Sequence, residues 1–197
     1  MTQSNQRLLA LPGSLRRRSY NRRLLAAAAE LAPPGMSVRV YPHGELASVP
    51  LFDEDVEEET GGGPEAVRRL RHEVAAADGL LIATPEYNQS IPGVLKNTLD
   101  WLSREAPGEV LAGKPVAVVG VTAGRWGTRL AQSALRHVLA ATGSPVLPAP
   151  ALFAAGAAGL FDDEGRLSDP ATRRQLGAVL AAFAEWIELV GTRRALT

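Results

Sequence analysis

Short apolar runs of strand length alternate along this chain with stretches whose apolar residues recur at helical spacing. Residues 8–11, 37–41, 79–83 and 115–122 are the clearest runs, and 144–152, interrupted by Pro148 and Pro150, supplies a fifth. Leu24, Leu25 and Ala28 mark a first helix; Val67, Leu70, Val74 and Ala77 mark a second, opened by Pro64 at its first position. Residues 94–103 and 128–141 follow, and Leu176, Val179, Leu180, Phe183, Ile187 and Val190 form the stripe of a last helix. A strand joined to a parallel neighbour through a helix builds a sheet covered on both faces, which is why its strands read as continuous apolar runs. The pattern predicts an α/β fold of the flavodoxin-like kind: five parallel strands with helices on both faces. A single domain spanning 1–197 is long enough for one core without staples.

In open sheets of this kind ligands collect beyond the carboxyl ends of the strands, so the loops there carry the function. The first, after Leu11, runs Pro12, Gly13, Ser14, Leu15, Arg16, Arg17, Arg18, Ser19, with Ser19 at a helix N-cap position. A helix N-terminus offers free amides and about half a positive charge, a natural seat for a phosphate. Ser14, Arg16, Ser19 and Asn21 add two hydroxyls, a planar guanidinium and an amide, a set suited to a terminal phosphate monoester. Neither Gly-Lys-Ser/Thr for a triphosphate nor Gly-x-Gly-x-x-Gly for a pyrophosphate is present. The plainer reading of this loop is a tight turn at Gly13 and Ser14, and Arg17, Arg18, Arg22 and Arg23 read as a solvated face. A second loop, Thr84 through Gly93, contains Pro85, Glu86, Tyr87 and Asn88; a third, after residue 122, holds Ala123, Gly124, Arg125, Trp126 and Gly127.

The absence of cysteine excludes disulfides, thiol redox chemistry and thiolate-bound metal, so any redox role needs a bound cofactor. Twenty-one basic residues balance twenty-one acidic ones, which argues against a nucleic-acid surface and against an acidic electron carrier. No run approaches the roughly 18 apolar residues of a membrane span, and the polar start has no signal-peptide core, so the expectation is a cytoplasmic protein without a membrane partner. Residues 43–63 read as a long loop with a solvated acidic run and no metal-ligand partners, and His43 as a surface histidine.

Together, Gly13-Ser14-Leu15-Arg16-x-x-Ser19-x-Asn21 and Pro85-Glu86-Tyr87-Asn88-x-Ser90-x-Pro92-Gly93-x-Leu95-Lys96-Asn97-x-x-Asp100-Trp101, with the glycine-rich loop after the fourth strand, resemble the NADPH-dependent FMN reductase family of quinone, azo and chromate reductases. The resemblance runs from about Leu8 to Ala141. It implies FMN with its phosphate at Ser14, Arg16, Ser19 and Asn21, its ring against Pro85, Glu86, Tyr87 and Asn88, and Thr122 and Gly124 approaching from the other side. Tyr87 reads alternatively as a core aromatic. NADPH or NADH is then the co-substrate and a small-molecule electron acceptor the second one. The flavin does the chemistry and no side chain is needed as acid or nucleophile. Where the family has small residues after the fourth strand, this chain has Ala123 and Trp126. A flavodoxin-type one-electron carrier or a flavin-based redox sensor are the alternatives on the same fold. Leu95, Leu99 and Leu102 lie on one face of a helix and Val94 and Trp101 on another, which is hard to satisfy against one sheet. With the resemblance, this predicts a homodimer or homotetramer with the flavin near the subunit boundary.

Overall fold

A computed structural model describes residues 5–105 and 108–194. Part of the polar start and the two ends of the 1–197 span lie outside the described residues. Five parallel strands, β1 (Gln6–Pro12), β2 (Met36–Val40), β3 (Gly79–Ala83), β4 (Val116–Val121) and β5 (Leu152–Ala154), form one sheet in the order β2-β1-β3-β4-β5. Leu9 sits beside Arg39 on one side and Leu80 on the other, and Ile82 beside Val118. The order reverses direction between β1 and β3, the point where the loops leaving these two strands part to opposite faces.

Each central strand is apolar throughout because it serves two cores. Leu8 and Ala10 face α1 (Tyr20–Glu30) and α7 (Pro170–Arg194), packing with Leu24, Leu25, Ala28, Leu176, Leu180 and Phe183. Leu9 and Leu11 face α4 (Glu65–Ala76), α5 (Gly93–Leu102) and α6 (Arg129–Ala141), packing with Leu70, Val74, Leu95, Leu99 and Leu135. Leu80 and Ile82 join the second core while Leu81 and Ala83 join the first. At roughly 1.5 to 3 kcal/mol for each fully buried aliphatic side chain, this double layer is the main term holding the loops at the carboxyl edge in register.

Several expectations need correction. Residues 43–63 are not one loop: they contain α2 (His43–Ala47) and α3 (Glu54–Thr60). The acidic run is helical because Asp53 caps it, its Oδ1 accepting from Asp55 N at 3.0 Å, because carboxylates suit a first turn, and because Gly61 ends it at φ 63°. Nor is the run wholly solvated, since Glu57 is buried against Arg104 at 2.7 Å. Pro64 stands at the N-cap of α4 rather than inside it. The fifth strand is Leu152–Ala154, beyond the prolines; within 144–151 only Val146 bridges to β4, at Val116. Prolines offer no amide to a ladder, so this first contact with β4 breaks off at Pro148 and a continuous strand forms only after Pro150.

The second apolar face of α5 is covered by the chain itself. Trp101 is 0% exposed: its Nε1 donates to Pro50 O at 2.9 Å and its ring meets Phe52 edge-on at 4.9 Å. Asn97 fastens the same segment, accepting from Phe52 N at 2.7 Å and donating to Pro50 O at 2.8 Å. The two-faced helix is therefore accounted for within one chain, and it no longer argues for a partner subunit.

Candidate functional site

The loops leaving β1, β3 and β4 meet in one cleft of about 180 Å³, lined by Ser14, Arg16, Ser19, Tyr20 and Asn21 on one side and by Pro85, Tyr87, Val121, Thr122 and Ala123 on the other. The first wall begins where β1 ends. Gly13 N donates to Ala83 O at 2.8 Å, and a Cβ at Gly13 would stand 3.1 Å from that oxygen and 3.2 Å from Thr84 Cα. The absence of a side chain there lets the first loop lie against the second.

Ser19 is the N-cap of α1 in extended conformation, yet its side chain makes no capping bond. The first three amides of the helix, from Tyr20, Asn21 and Arg22, have no partner among the described residues, since the first bond back to the cap comes from Arg23 N to Ser19 O at 3.2 Å. A buried hydroxyl, three unpaired amides and the positive end of a helix dipole thus face one spot, with the Ser14 hydroxyl alongside, accepting from Arg16 N at 3.3 Å. Arg16 is exposed, its guanidinium 5.9 Å from the centre of the Tyr20 ring. The loop is anchored from outside by His43 Nε2, 2.6 Å from Leu15 O; donation to a carbonyl requires the proton on that nitrogen. His43 is therefore a partly buried brace rather than a free surface residue.

Asn21 is placed differently from a phosphate ligand. Its Nδ2 donates to Val121 O at 2.9 Å and its Oδ1 accepts from Val121 N at 3.0 Å, and the residue is 2% exposed. The side-chain amide is used up in tying the start of α1 to the end of β4; only its backbone N–H faces the anion seat.

On the second wall, Tyr87 and Ser90 exchange backbone hydrogen bonds of 3.0 Å each across Asn88 and Gln89, whose φ values are 49° and 62°. This is the tight turn with two left-handed residues, unusual without glycine. Tyr87 is exposed beside the cleft rather than in the core, while Asn88 is exposed and outside the lining. Glu86 turns away: its Oε2 accepts from Leu130 N at 2.9 Å and Ala131 N at 3.0 Å, capping α6 from another loop. Thr128, the N-cap of α6, makes no capping bond because its hydroxyl accepts from Gln132 Nε2. Thr122 lines the cleft, whereas Gly124 is exposed outside it, its carbonyl accepting from Gly156 N at 3.2 Å. Gly120, beneath this wall, has Thr128 Oγ1 and Thr84 O where a Cβ would stand, so the β3 and β4 exits also touch.

Sequence reasoning passed over Tyr20, which forms part of the cleft and stacks on Phe161 with ring centres 5.5 Å apart. Its place directly after the N-cap serine was the available signal. A wider hollow of about 610 Å³ between α5 and α6 is lined by Lys96, Asp100, His137 and Thr142, away from the strand ends and without an anion seat.

Free hydroxyls and amides for a phosphate at one end, and a shallow wall of Pro85, Tyr87 and Thr122 at the other, fit a flavin mononucleotide laid across the switch point. Comparison with known proteins agrees. The model of the NADPH-dependent FMN reductase family matches residues 6–159. An NAD(P)H-dependent FMN reductase of Pseudomonas aeruginosa is 42% identical over 181 residues, covering 92% of this chain and 95% of the relative. A quinone reductase of Pseudomonas putida is 43% identical over 177 residues, covering 90% and 92%. Among solved structures, the NAD(P)H:acceptor oxidoreductase FerB of Paracoccus denitrificans superposes with a TM-score of 0.82 at 31% identity, covering 93% of this chain and 97% of that one. Fold, cleft and similarity converge: the chain belongs to the NADPH-dependent FMN reductase family.

Proposed function

We propose that the cleft holds FMN with its phosphate on Ser14, Arg16, Ser19 and the free amides of α1, its ring along Pro85, Glu86, Tyr87 and Asn88, and Thr122 and Gly124 at the far side, and that the acceptor is a quinone. The observation that carries this is the N-cap serine of α1 with an unspent hydroxyl above three unpaired amides, facing Tyr87 and Thr122 across a single cleft. When bound, FMN supplies hydride acceptance from NAD(P)H and two-electron delivery to the acceptor. The chain's residues do the rest. Ser14 and Ser19 donate to phosphate oxygens, Arg16 neutralises them, and Asn21 acts indirectly by fixing α1 to β4. Glu86 and Asn88 keep backbone amides without partners among the described residues, available to ring oxygens and nitrogens, while those of Tyr87 and Ser90 are spent in the turn. No side chain of the cleft is required to move a proton.

The resemblance to quinone reductases supports the acceptor class. Under anaerobic conditions NADPH or NADH should bleach the visible absorption of the FMN-loaded protein and a quinone should restore it in one phase. Failure of both nucleotides to bleach it would point to a carrier or sensor instead. We further propose a homodimer or homotetramer working in the cytoplasm, where NAD(P)H is available. Its support is the family resemblance and the exposed Leu15, Tyr87, Trp126 and Leu130 on the loops around the cleft and the start of α6. Light scattering should give a multiple of 20.8 kDa, and a monomer would contradict it. Among the described residues no helix is long and apolar enough to cross a membrane.

A further inference from the structure

Thr84 stands where the three strand exits touch. It is 0% exposed, and its amide donates to Val119 O at 3.0 Å. A Cβ at Gly13 would lie 3.2 Å from Thr84 Cα and one at Gly120 would lie 2.4 Å from Thr84 O, so the β1 and β4 sides both press on it. Its hydroxyl donates to Pro85 O at 2.7 Å. Pro85 lines the cleft and Thr84 does not, so this bond draws the Pro85 carbonyl into the protein and away from the ligand space.

The Pro85–Glu86 peptide is trans, the one cis bond among the described residues being Ala149–Pro150. In a trans peptide the carbonyl and the following N–H point in opposite directions. Glu86 N–H is therefore turned outward, and it has no acceptor among the described residues. The side chain fixes the same residue from its other end, Glu86 Oε2 accepting from Leu130 N at 2.9 Å and Ala131 N at 3.0 Å. A peptide gripped at both ends holds its N–H in one direction.

Such a donor costs no reorganisation when charge develops in front of it, and it suits an acceptor that stays an acceptor. The carbonyl oxygens of a flavin ring accept hydrogen bonds before and after reduction and gain electron density in between. The ring nitrogen that takes up hydrogen on reduction becomes a donor, and a fixed N–H would oppose it. We propose that Thr84, which lies behind the cleft wall, is a positioning residue: by pinning Pro85 O it aims Glu86 N–H at a carbonyl oxygen of the flavin ring and so raises the reduction potential of the bound cofactor. This rests on the FMN reading above.

The test compares the midpoint potential of bound FMN, by equilibration with reference dyes, in the parent, Thr84→Val and Thr84→Ser. Valine keeps the branched shape and removes the hydroxyl, while serine keeps the hydroxyl. The preference for reduced over oxidised FMN should fall about tenfold in Thr84→Val, which lowers the potential of a two-electron couple by about 30 mV, and should stay within about twofold of the parent in Thr84→Ser. A packing defect alone weakens both redox forms equally, so an unshifted potential in Thr84→Val would overturn the proposal. A raised potential would overturn it as well, because it would set the N–H against the ring nitrogen. A second measurement needs no substitution and decides the matter if the valine variant does not fold. By NMR of the isotope-labelled parent, FMN should slow amide hydrogen exchange at Glu86 about tenfold or more, together with that at Tyr20, Asn21 and Arg22 in the phosphate seat. Slowing at the three α1 amides with none at Glu86 would overturn the proposal and leave the FMN reading standing. No slowing at any of these amides would overturn both.

Discussion

Two side chains of the recognisable motifs prove to act on the protein rather than on a ligand. Asn21 satisfies both backbone groups of Val121, buried in the sheet edge, so Asn21→Ala leaves an orphaned N–H and C=O. Each such group costs about 1 to 3 kcal/mol, and chemical denaturation without FMN should show the variant destabilised by about 2 to 6 kcal/mol. Unchanged stability with lost FMN affinity would return Asn21 to the phosphate. Glu86 carries the cap that Thr128 does not, and Glu86→Ala should cost about 0.5 to 2 kcal/mol of stability, checked by thermal unfolding, with Glu86→Gln recovering part of it. The sequence makes Ser14, Ser19 and the α1 amides legible, because hydroxyls before an apolar helix have a local meaning. It hides the roles of Asn21 and Glu86, whose partners lie 100 and 44 or 45 residues away.

Among the elements, those with strong apolar periodicity were readable to within a residue or two, and those held by polar chemistry were not. Helix α3 has no apolar stripe; its cap, its carboxylate-rich first turn, Gly61 and the Glu57–Arg104 pair sustain it. Strand β5 is short and edge-placed, displaced by prolines from its expected position. The long α7 shows how an end can be set by one charge. Asp169, one residue before it, accepts from Thr172 N at 2.7 Å and Thr172 Oγ1 at 2.6 Å, and these bonds hold its carboxyl below the usual range. A depressed folded-state pKa stabilises the fold above the unfolded value and loses that contribution as pH falls through the folded one. Asp169→Asn should therefore lower the thermal midpoint at neutral pH, with the difference from the parent closing as the pH falls below the ordinary carboxylate range. A difference constant over that fall would mean the charge of Asp169 is not what matters.

At the scale of the whole molecule, the order β2-β1-β3-β4-β5 brings three loops distant in sequence to one edge. The alternation of strands and helices predicts this, since right-handed crossovers leave few other arrangements. How the loops divide the work was legible only in part: Ser14, Arg16, Ser19, Asn21, Pro85, Tyr87 and Thr122 line one cleft, while Glu86, Asn88 and Gly124 lie outside the lining. The central claim is that the β1 loop binds the phosphate and the β3 and β4 loops bind the ring. It is tested most directly by titrating FMN and riboflavin, which lacks the phosphate, into the parent and Arg16→Ala. A charge-assisted hydrogen bond of about 1.5 to 3 kcal/mol predicts a loss of roughly 10- to 150-fold for FMN and no change for riboflavin. Equal losses for both ligands, or no loss for FMN, would contradict the account.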